Sequence, residues 1–118
     1  MIDGLDKLMQ FQTDALRLRS YRQELLSANI ANSDTPNYKA VDFDFAEALK
    51  AIQTPASASA ADAGPTLQYR IPAQSSIDGN SVEMDAERAK FADNTVRYEA
   101  AMRVLTAQIK TMLAAVQG

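Results

Sequence analysis

The sequence predicts a mainly α-helical protein, in which long N- and C-terminal helices pair as a coiled coil and enclose a short irregular insert. Apolar side chains recur at steps of three and four in both residues 1–34 and residues 85–118, as on one face of a helix. The segment between them lacks this period and includes a stretch of low complexity. We therefore divide the chain into two helical end segments and a central segment, residues 35–84.

The N-terminal helix is predicted from about Asp3 to Asn32. One apolar stripe contains Leu8, Phe11, Ala15, Leu18 and Leu25, and a second, one residue away, contains Leu5, Met9, Leu16, Leu26 and Ile30. Pro36 cannot continue a helix and restricts the residue before it, so the helix must end upstream. Ser33 and Asp34 favour a turn, because their side chains bond readily to nearby backbone.

The C-terminal helix is predicted from about Asp85 to Gln117, with Asp85 as its N-cap and Glu87 in its first turn. No Pro or Gly interrupts an unbroken heptad series, which consists of Phe91, Thr95, Tyr98, Met102, Leu105, Ile109, Met112 and Val116. Thirty helical residues span roughly 45 Å. Two helices of matching length with this repeat are expected to pack against each other.

The central segment is predicted to start with an extended entry at Lys39 and a short helix that is capped by Asp44 and reaches Gln53. Residues 54–66 are rich in Ala, Ser, Pro and Gly, which predicts a flexible linker. Residues 67–71 alternate weakly and predict a short strand. Val82 and Met84 suggest another extended piece, and the two pieces would form a small β-hairpin.

Composition excludes several classes of function. The net charge is −3 with both signs intermixed, so the sequence has no electrostatic footprint for nucleic acid. Without Cys or His, there can be no zinc site built on those ligands, no His-based catalysis and no thiol chemistry. The carboxylates at 42, 44, 83, 85 and 87 are interpreted as helix caps and solvated faces. We therefore predict no enzyme activity, no metal, no cofactor and no small-molecule substrate.

The helix faces predict association with other chains. A two-helix seam uses two positions in seven, and both predicted helices have a wider apolar face than that. Arg17, Arg19 and Arg22 are interpreted as a solvated or inter-subunit ion-pairing face. The first twenty residues contain early acids and no apolar core run, so a cleaved secretory signal is not expected.

Two asparagines interrupt the apolar stripe near the end of the first helix. Asn29 and Asn32 continue the register of Leu18 and Leu25. They could cap the last carbonyls and the turn, or they could specify how this helix end docks on its neighbours, since a seam Asn fixes register at a cost in stability. The pattern leaves both readings open.

The stretch SANIANSDTPNYKA resembles the N-terminal signature of the rod and hook axial proteins of the bacterial flagellum. The matching positions are Ala28, Asn29, Ile30, Ala31, Asn32, Thr35, Pro36, Tyr38 and Lys39. Residues 78–110 also resemble that family's C-terminal region. The family often has Gly after Thr-Pro, where this chain has Asn37, and Asn is the non-Gly residue that best tolerates a positive φ.

The resemblance implies a structural subunit of the flagellar basal body. Family members leave the cytoplasm through the flagellar type III apparatus without a cleaved signal and assemble into a torque-transmitting tube in the periplasm. The resemblance implies that this chain binds further copies of itself, other rod subunits and the basal-body base at the inner-membrane ring and export gate. Two alternatives compete with this role: a soluble adaptor or export chaperone forming a discrete oligomer, and a cell-wall enzyme using Glu83.

Overall fold

The computed structural model describes residues 2–53, 65–69 and 79–117. In chain order the elements are α1 (Ile2–Ala31), β1 (Val41–Asp42), α2 (Phe45–Gln53), β2 (Gln68–Tyr69) and α3 (Met84–Gln117). The molecule is elongated, with extents of 64 × 30 × 18 Å. The predicted fold class is confirmed, since two long end helices pack together and a short helix and a two-stranded sheet lie between them.

α1 and α3 run antiparallel. At one end of the pair, Asn29 of α1 contacts Glu87 near the start of α3. At the other end, Leu5 near the start of α1 lines the same groove as Met112 near the end of α3. The helices have 30 and 34 residues, so they lie side by side over most of their lengths.

The buried apolar side chains lie from the middle of α1 to the end of the pair where α1 finishes. They are Ala15, Leu18, Leu26, Ala40 and Phe43. The ring of Tyr21 stacks on Phe43, with centroids 5.7 Å apart and an interplanar angle of 30°. The insert therefore packs back onto α1 near its C-terminus.

The predicted cap of the short helix is confirmed, and the predicted cap of the last helix is wrong by two residues. Asp44 accepts a 3.1 Å hydrogen bond from the Glu47 amide through its side chain, as an N-cap does. α3 begins at Met84, so Asp85 already lies inside the first turn. The carbonyl of Glu83 accepts the Glu87 amide at 2.9 Å, which places Glu83 at the cap position.

The two strands form an antiparallel pair in which Val41 faces Tyr69 and Asp42 faces Gln68. The strand at 68–69 falls within the range predicted, but its partner is β1 and not residues 82–84. Hydrogen bonds hold residues 80 and 81 against the exit from α1, and Met84 is already helical. Residues 54–64, 70 and 71 of the predicted linker and strand lie outside the described residues, and the three-part division stays a prediction.

None of the described helices combines the length and apolar character needed to cross a bilayer. Within the same residues, no cluster of three or more acidic side chains is placed to hold a metal ion.

Candidate functional site at the motif junction

The end of α1 and its exit segment, residues 28–41, lie against residues 79–87, and we call these two segments together the motif junction. Asn29 is at its centre and is buried. Its Nδ2 donates to the Val41 carbonyl at 2.8 Å and to Glu87 Oε2 at 3.0 Å. Its Oδ1 accepts from the Val41 amide at 3.0 Å and from the Tyr38 hydroxyl at 3.2 Å.

The Asn29 carboxamide therefore bonds to both backbone groups of Val41, as a neighbouring strand would. β2 occupies one edge of β1, and this side chain occupies the other, which protects an otherwise open strand edge. Asn29 thus docks the end of α1 on β1 and α3 of its own chain. It does more than cap its own turn, and a role of Asn29 in docking on neighbouring subunits stays a prediction.

Asn32 has the first of those two roles. Its Nδ2 donates to the Ala28 carbonyl at 2.8 Å, and its Oδ1 accepts from the Thr35 hydroxyl at 3.1 Å. The Asn32 amide bonds to the same Ala28 carbonyl at 3.0 Å. This side chain caps the last turn of α1 and ties it to the turn that follows.

The residues after the cap form a tight turn. The Tyr38 amide donates to the Thr35 carbonyl at 3.2 Å, which closes a four-residue turn with Pro36 and Asn37 at its centre. Asn37 has a φ of 63°, and a type II turn requires a positive φ at this position and favours Pro before it. The inference that Asn37 can replace the family's usual Gly is confirmed.

Asn80 holds this turn from the other segment of the junction. Its Nδ2 donates to three backbone carbonyls, those of Asn32 at 2.9 Å, Ser33 at 3.1 Å and Thr35 at 2.6 Å. Its Oδ1 accepts from the Val82 amide at 2.7 Å. One side chain thus holds the backbone of the turn that follows α1 at three positions.

Residues 79–81 run beside residues 38–40. The Ser81 amide donates to the Tyr38 carbonyl at 2.9 Å, and the Ser81 Oγ accepts from the Ala40 amide at 2.7 Å. The Lys39 ammonium donates to the Gly79 carbonyl. Tyr38 and Lys39 of the motif therefore contact their own chain. The remaining motif residues Ala28, Ile30, Ala31, Thr35 and Pro36 are exposed or half-buried.

Two polar residues of α3 are buried, which the sequence pattern did not predict. Glu87 was interpreted as a first-turn acid, yet its side chain is buried against Asn29. Asn94 is also buried and donates to the Arg19 carbonyl at 2.9 Å and to Gln23 Oε1 at 2.7 Å. Their spacing of seven residues is the signal that could have found them.

The interpretation of Arg22 as part of a solvated or inter-subunit face is wrong. Its guanidinium makes two 3.0 Å hydrogen bonds to the carboxylate of Asp42, in a partly buried pair within the chain. Asp42 is therefore an ion-pair partner and not a solvated acid. The neighbouring Arg19 lies 4.0 Å over the ring of Phe45. Burial lowers the pKa of Arg19, and the positive charges of Arg97 and Arg22 lower it further.

The opposite end of the helix pair has a different character. We call it the open end, and it consists of the start of α1 and residues 102–117 of α3. A groove of about 350 Å³ lies between the helices there and is lined mainly by Leu5, Leu8, Met9, Val104 and Met112. The exposed large apolar side chains at this end are Leu5, Leu8, Met102, Val104, Ile109, Leu113 and Val116.

The other predicted assembly positions lie nearer the seam between the helices. Leu18 is buried, and the half-buried positions are Phe11, Leu25, Phe91, Tyr98, Leu105 and Met112. The predicted faces thus divide into a part covered within the chain and a part left exposed at the open end.

Comparison with known proteins identifies the family. A family model for flagella basal body rod proteins matches residues 9–39, which include most of α1 and the motif. The flagellar basal body rod protein FlgB of Salmonella typhimurium is 44% identical over all of this chain and 99% of its own length. The FlgB proteins of Escherichia coli and Yersinia enterocolitica are 45% and 41% identical, over 99% and 98% of their lengths. The chain therefore belongs to the flagellar basal-body rod protein family.

Proposed function

We propose that this structural rod subunit polymerises with further copies and with other rod subunits, and that the resulting tube crosses the periplasm and transmits torque. Its neighbours would include the basal-body base at the inner-membrane ring and export gate. The chain would reach the rod through the flagellar export apparatus, without a cleaved signal peptide. The relatives' shared description as flagellar basal body rod proteins supports this role.

The observation that carries the assembly mechanism is the concentration of exposed apolar side chains at the open end. Single exposed apolar residues are ordinary, but a concentration of them at one end of an elongated molecule, which we call the apolar patch, indicates an interaction site. The patch includes side chains from both α1 and α3. A surface that contacts a different surface on the next subunit produces a helical filament when the contacts do not close into a ring.

The motif junction also supports assembly through the open end. Its hydrogen bonds join α1, the exit segment and the start of α3 within one chain. These bonds hold the two helices together at one end and leave the apolar faces at the other end available for neighbouring subunits. No catalysis is required for this role.

Substitutions at the open end test the proposal. Leu113 and Val116 are 54% and 86% exposed, so Leu113→Asp and Val116→Asp should leave the isolated fold intact. A carboxylate buried in a subunit contact would cost at least ~2 kcal/mol, roughly a 30-fold loss of affinity per contact. We expect loss of swimming and of isolated basal bodies with complete rods, with the subunit still synthesised.

Val96→Asp is the matched control. Val96 is on the same helix and 65% exposed, but it lies towards the motif junction and outside the apolar patch. This variant should swim. Normal motility in both open-end variants would reject assembly through this end. If the purified chain instead formed a discrete dimer by light scattering and never joined basal bodies, the adaptor alternative would be favoured.

A further inference from the structure

α3 has a row of residues spaced by seven on the side that faces α1, namely Glu87, Asn94, Ala101 and Gln108. Seven residues are close to two helical turns, so all four share one face. On α1, which runs in the opposite direction, Asn29 faces Glu87, Gln23 and the carbonyl of Arg19 face Asn94, and Leu8 lines the same groove as Gln108. The same spacing of seven places the buried Ala15 opposite Ala101. We call these four pairs of positions the rungs.

The first two rungs are polar, buried and hydrogen-bonded across the helix pair. Asn29 donates to Glu87 at 3.0 Å, and Asn94 donates to Gln23 at 2.7 Å. Gln23 also donates to the Thr95 hydroxyl at 2.7 Å. The third and fourth rungs provide no such bond, since the side chains of Ala15 and Leu8 on α1 have no polar atom.

The apolar seam alone does not define how α3 aligns with α1. Its residues Phe91, Tyr98, Leu105 and Met112 are also spaced by seven. Sliding α3 by one heptad therefore replaces each apolar side chain with another. The same slide in one direction moves Asn94 opposite Ala15, where a buried amide finds no partner, and this costs free energy.

We propose that Glu87 and Asn94 are the positioning residues that fix the register of α3 on α1. Polar side chains at seam positions select one register among several that apolar packing allows. Gln108 lies about 21 Å along α3 from Asn94. The register of α3 on α1 decides which side chains line the groove at the open end. Glu87 and Asn94 therefore determine the lining of a surface that lies far from them along α3.

A second anchor competes for the same role. Asn80 ties the segment before α3 to the turn after α1 through its three carbonyl contacts. If that anchor alone set the register, the buried rungs would only add stability. The experiment must therefore separate Asn80 from the rungs.

Disulfide trapping in the isolated full chain reads the register directly, because the natural sequence has no cysteine. Ala15→Cys with Ala101→Cys reports the observed register, and Ala15→Cys with Gln108→Cys reports a slide of one heptad. Leu8→Cys with Ala101→Cys reports the slide in the other direction. Each pair is placed in four backgrounds: unaltered, Asn80→Ala, Glu87→Leu with Asn94→Leu, and all three substitutions.

We expect only the observed-register disulfide in the unaltered and Asn80→Ala backgrounds. In the chain with all three substitutions, a slipped disulfide should form in a yield comparable to that of the observed one. Leucine keeps the side-chain volume and adds apolar burial, so circular dichroism should still show the helices. Retained helix content with a changed register is a result that a purely stabilising role would not give.

Two results would overturn the proposal. One is a single, observed-register disulfide in the chain with all three substitutions. The other is slipped disulfides in the Asn80→Ala background alone. Asn94→Leu by itself, combined with Asn80→Ala, is tested in the same way in case the double leucine variant fails to fold. Since these measurements need no assembled rod, they succeed or fail independently of the proposed assembly through the open end.

Discussion

Asn29 and Glu87 are 58 residues apart in the chain, and the Nδ2 of Asn29 donates a 3.0 Å hydrogen bond to the Oε2 of Glu87. Both side chains are almost fully buried, at 1% and 0% exposure. Burial of an acidic side chain is costly unless it is hydrogen-bonded, and this bond satisfies the Oε2 of Glu87. The contact joins the end of α1 to the start of α3, so the two ends of the insert lie close together.

Replacement of Asn29 should be among the most destabilising changes in the chain. Asn29→Leu leaves both backbone groups of Val41, the Tyr38 hydroxyl and Glu87 without this partner, so we expect the free energy of unfolding to fall by about 2–4 kcal/mol. Asn29→Asp should lower the free energy of unfolding at least as far, since a second carboxylate would face Glu87. Urea unfolding followed by circular dichroism measures both.

Asn32→Ala is the control for that series. It removes a partly exposed cap and should cost about 1 kcal/mol or less. Equal losses for Asn29→Leu and Asn32→Ala would mean that Asn29 also acts only as a cap, and that its contacts across the junction contribute little.

The turn after α1 should be sensitive at Gly79 because of its contact with Asn37. Gly79 has a φ of 75°, and a Cβ built on it would collide with the Oδ1 of Asn37. We expect Gly79→Ala to destabilise by about 2 kcal/mol, from backbone strain and from this collision. Combining it with Asn37→Gly, which removes the colliding atom, should recover part of the loss in thermal unfolding.

Asn37→Gly alone is the matched reference, and it should be nearly neutral because its φ of 63° suits Gly. A double variant that is no more stable than Gly79→Ala would assign the whole loss to backbone strain.

Local signals in the sequence were enough to predict the helices and the Asp44 cap. Each depends on residues within a few positions: a 3.5-residue apolar repeat, and a short acid before a helix. The positive φ of Asn37 was expected from the family resemblance, in which Gly often follows Thr-Pro.

The burial of Glu87 and Asn94 and the partner of β1 could not be predicted in this way. An acid in a first helical turn is normally solvated, and only contact with a residue 58 positions away makes Glu87 a buried group. β1 pairs with residues 68–69, while Asn80 and Ser81 bond to the turn and exit segment after α1. The burial of a polar side chain and the pairing of a strand depend on contacts between residues far apart in the chain, which sequence periodicity does not reveal.

The ion pair between Arg22 and Asp42 should contribute measurably to stability. Its side chains are only 18% and 13% exposed and its geometry is bidentate, so a double-mutant cycle with Arg22→Met and Asp42→Asn should give a coupling of about 1–2 kcal/mol. The pair of Arg97 with Asp93 offers the comparison, because its side chains are 60% and 57% exposed. Its coupling should be about 0.5 kcal/mol or less. The reverse ranking would show that burial does not strengthen the first pair.

Association through the open end should respond to salt as an apolar contact does. The exposed side chains there are mainly aliphatic, and the chain's net charge is only −3. Raising NaCl from about 0.1 M to 1 M shortens the Debye length to about 3 Å, which would weaken association driven by exposed ion pairs and leave apolar association in place. Sulfate should strengthen apolar association further, because excluded salts favour apolar burial.

Sedimentation velocity on the purified chain and on Leu113→Asp measures this response. Oligomers of the unaltered chain should persist in NaCl and grow in sulfate. The variant should form fewer oligomers at every salt concentration. Dissociation of the unaltered oligomers by NaCl would instead assign the contact to the charged surface of the helices.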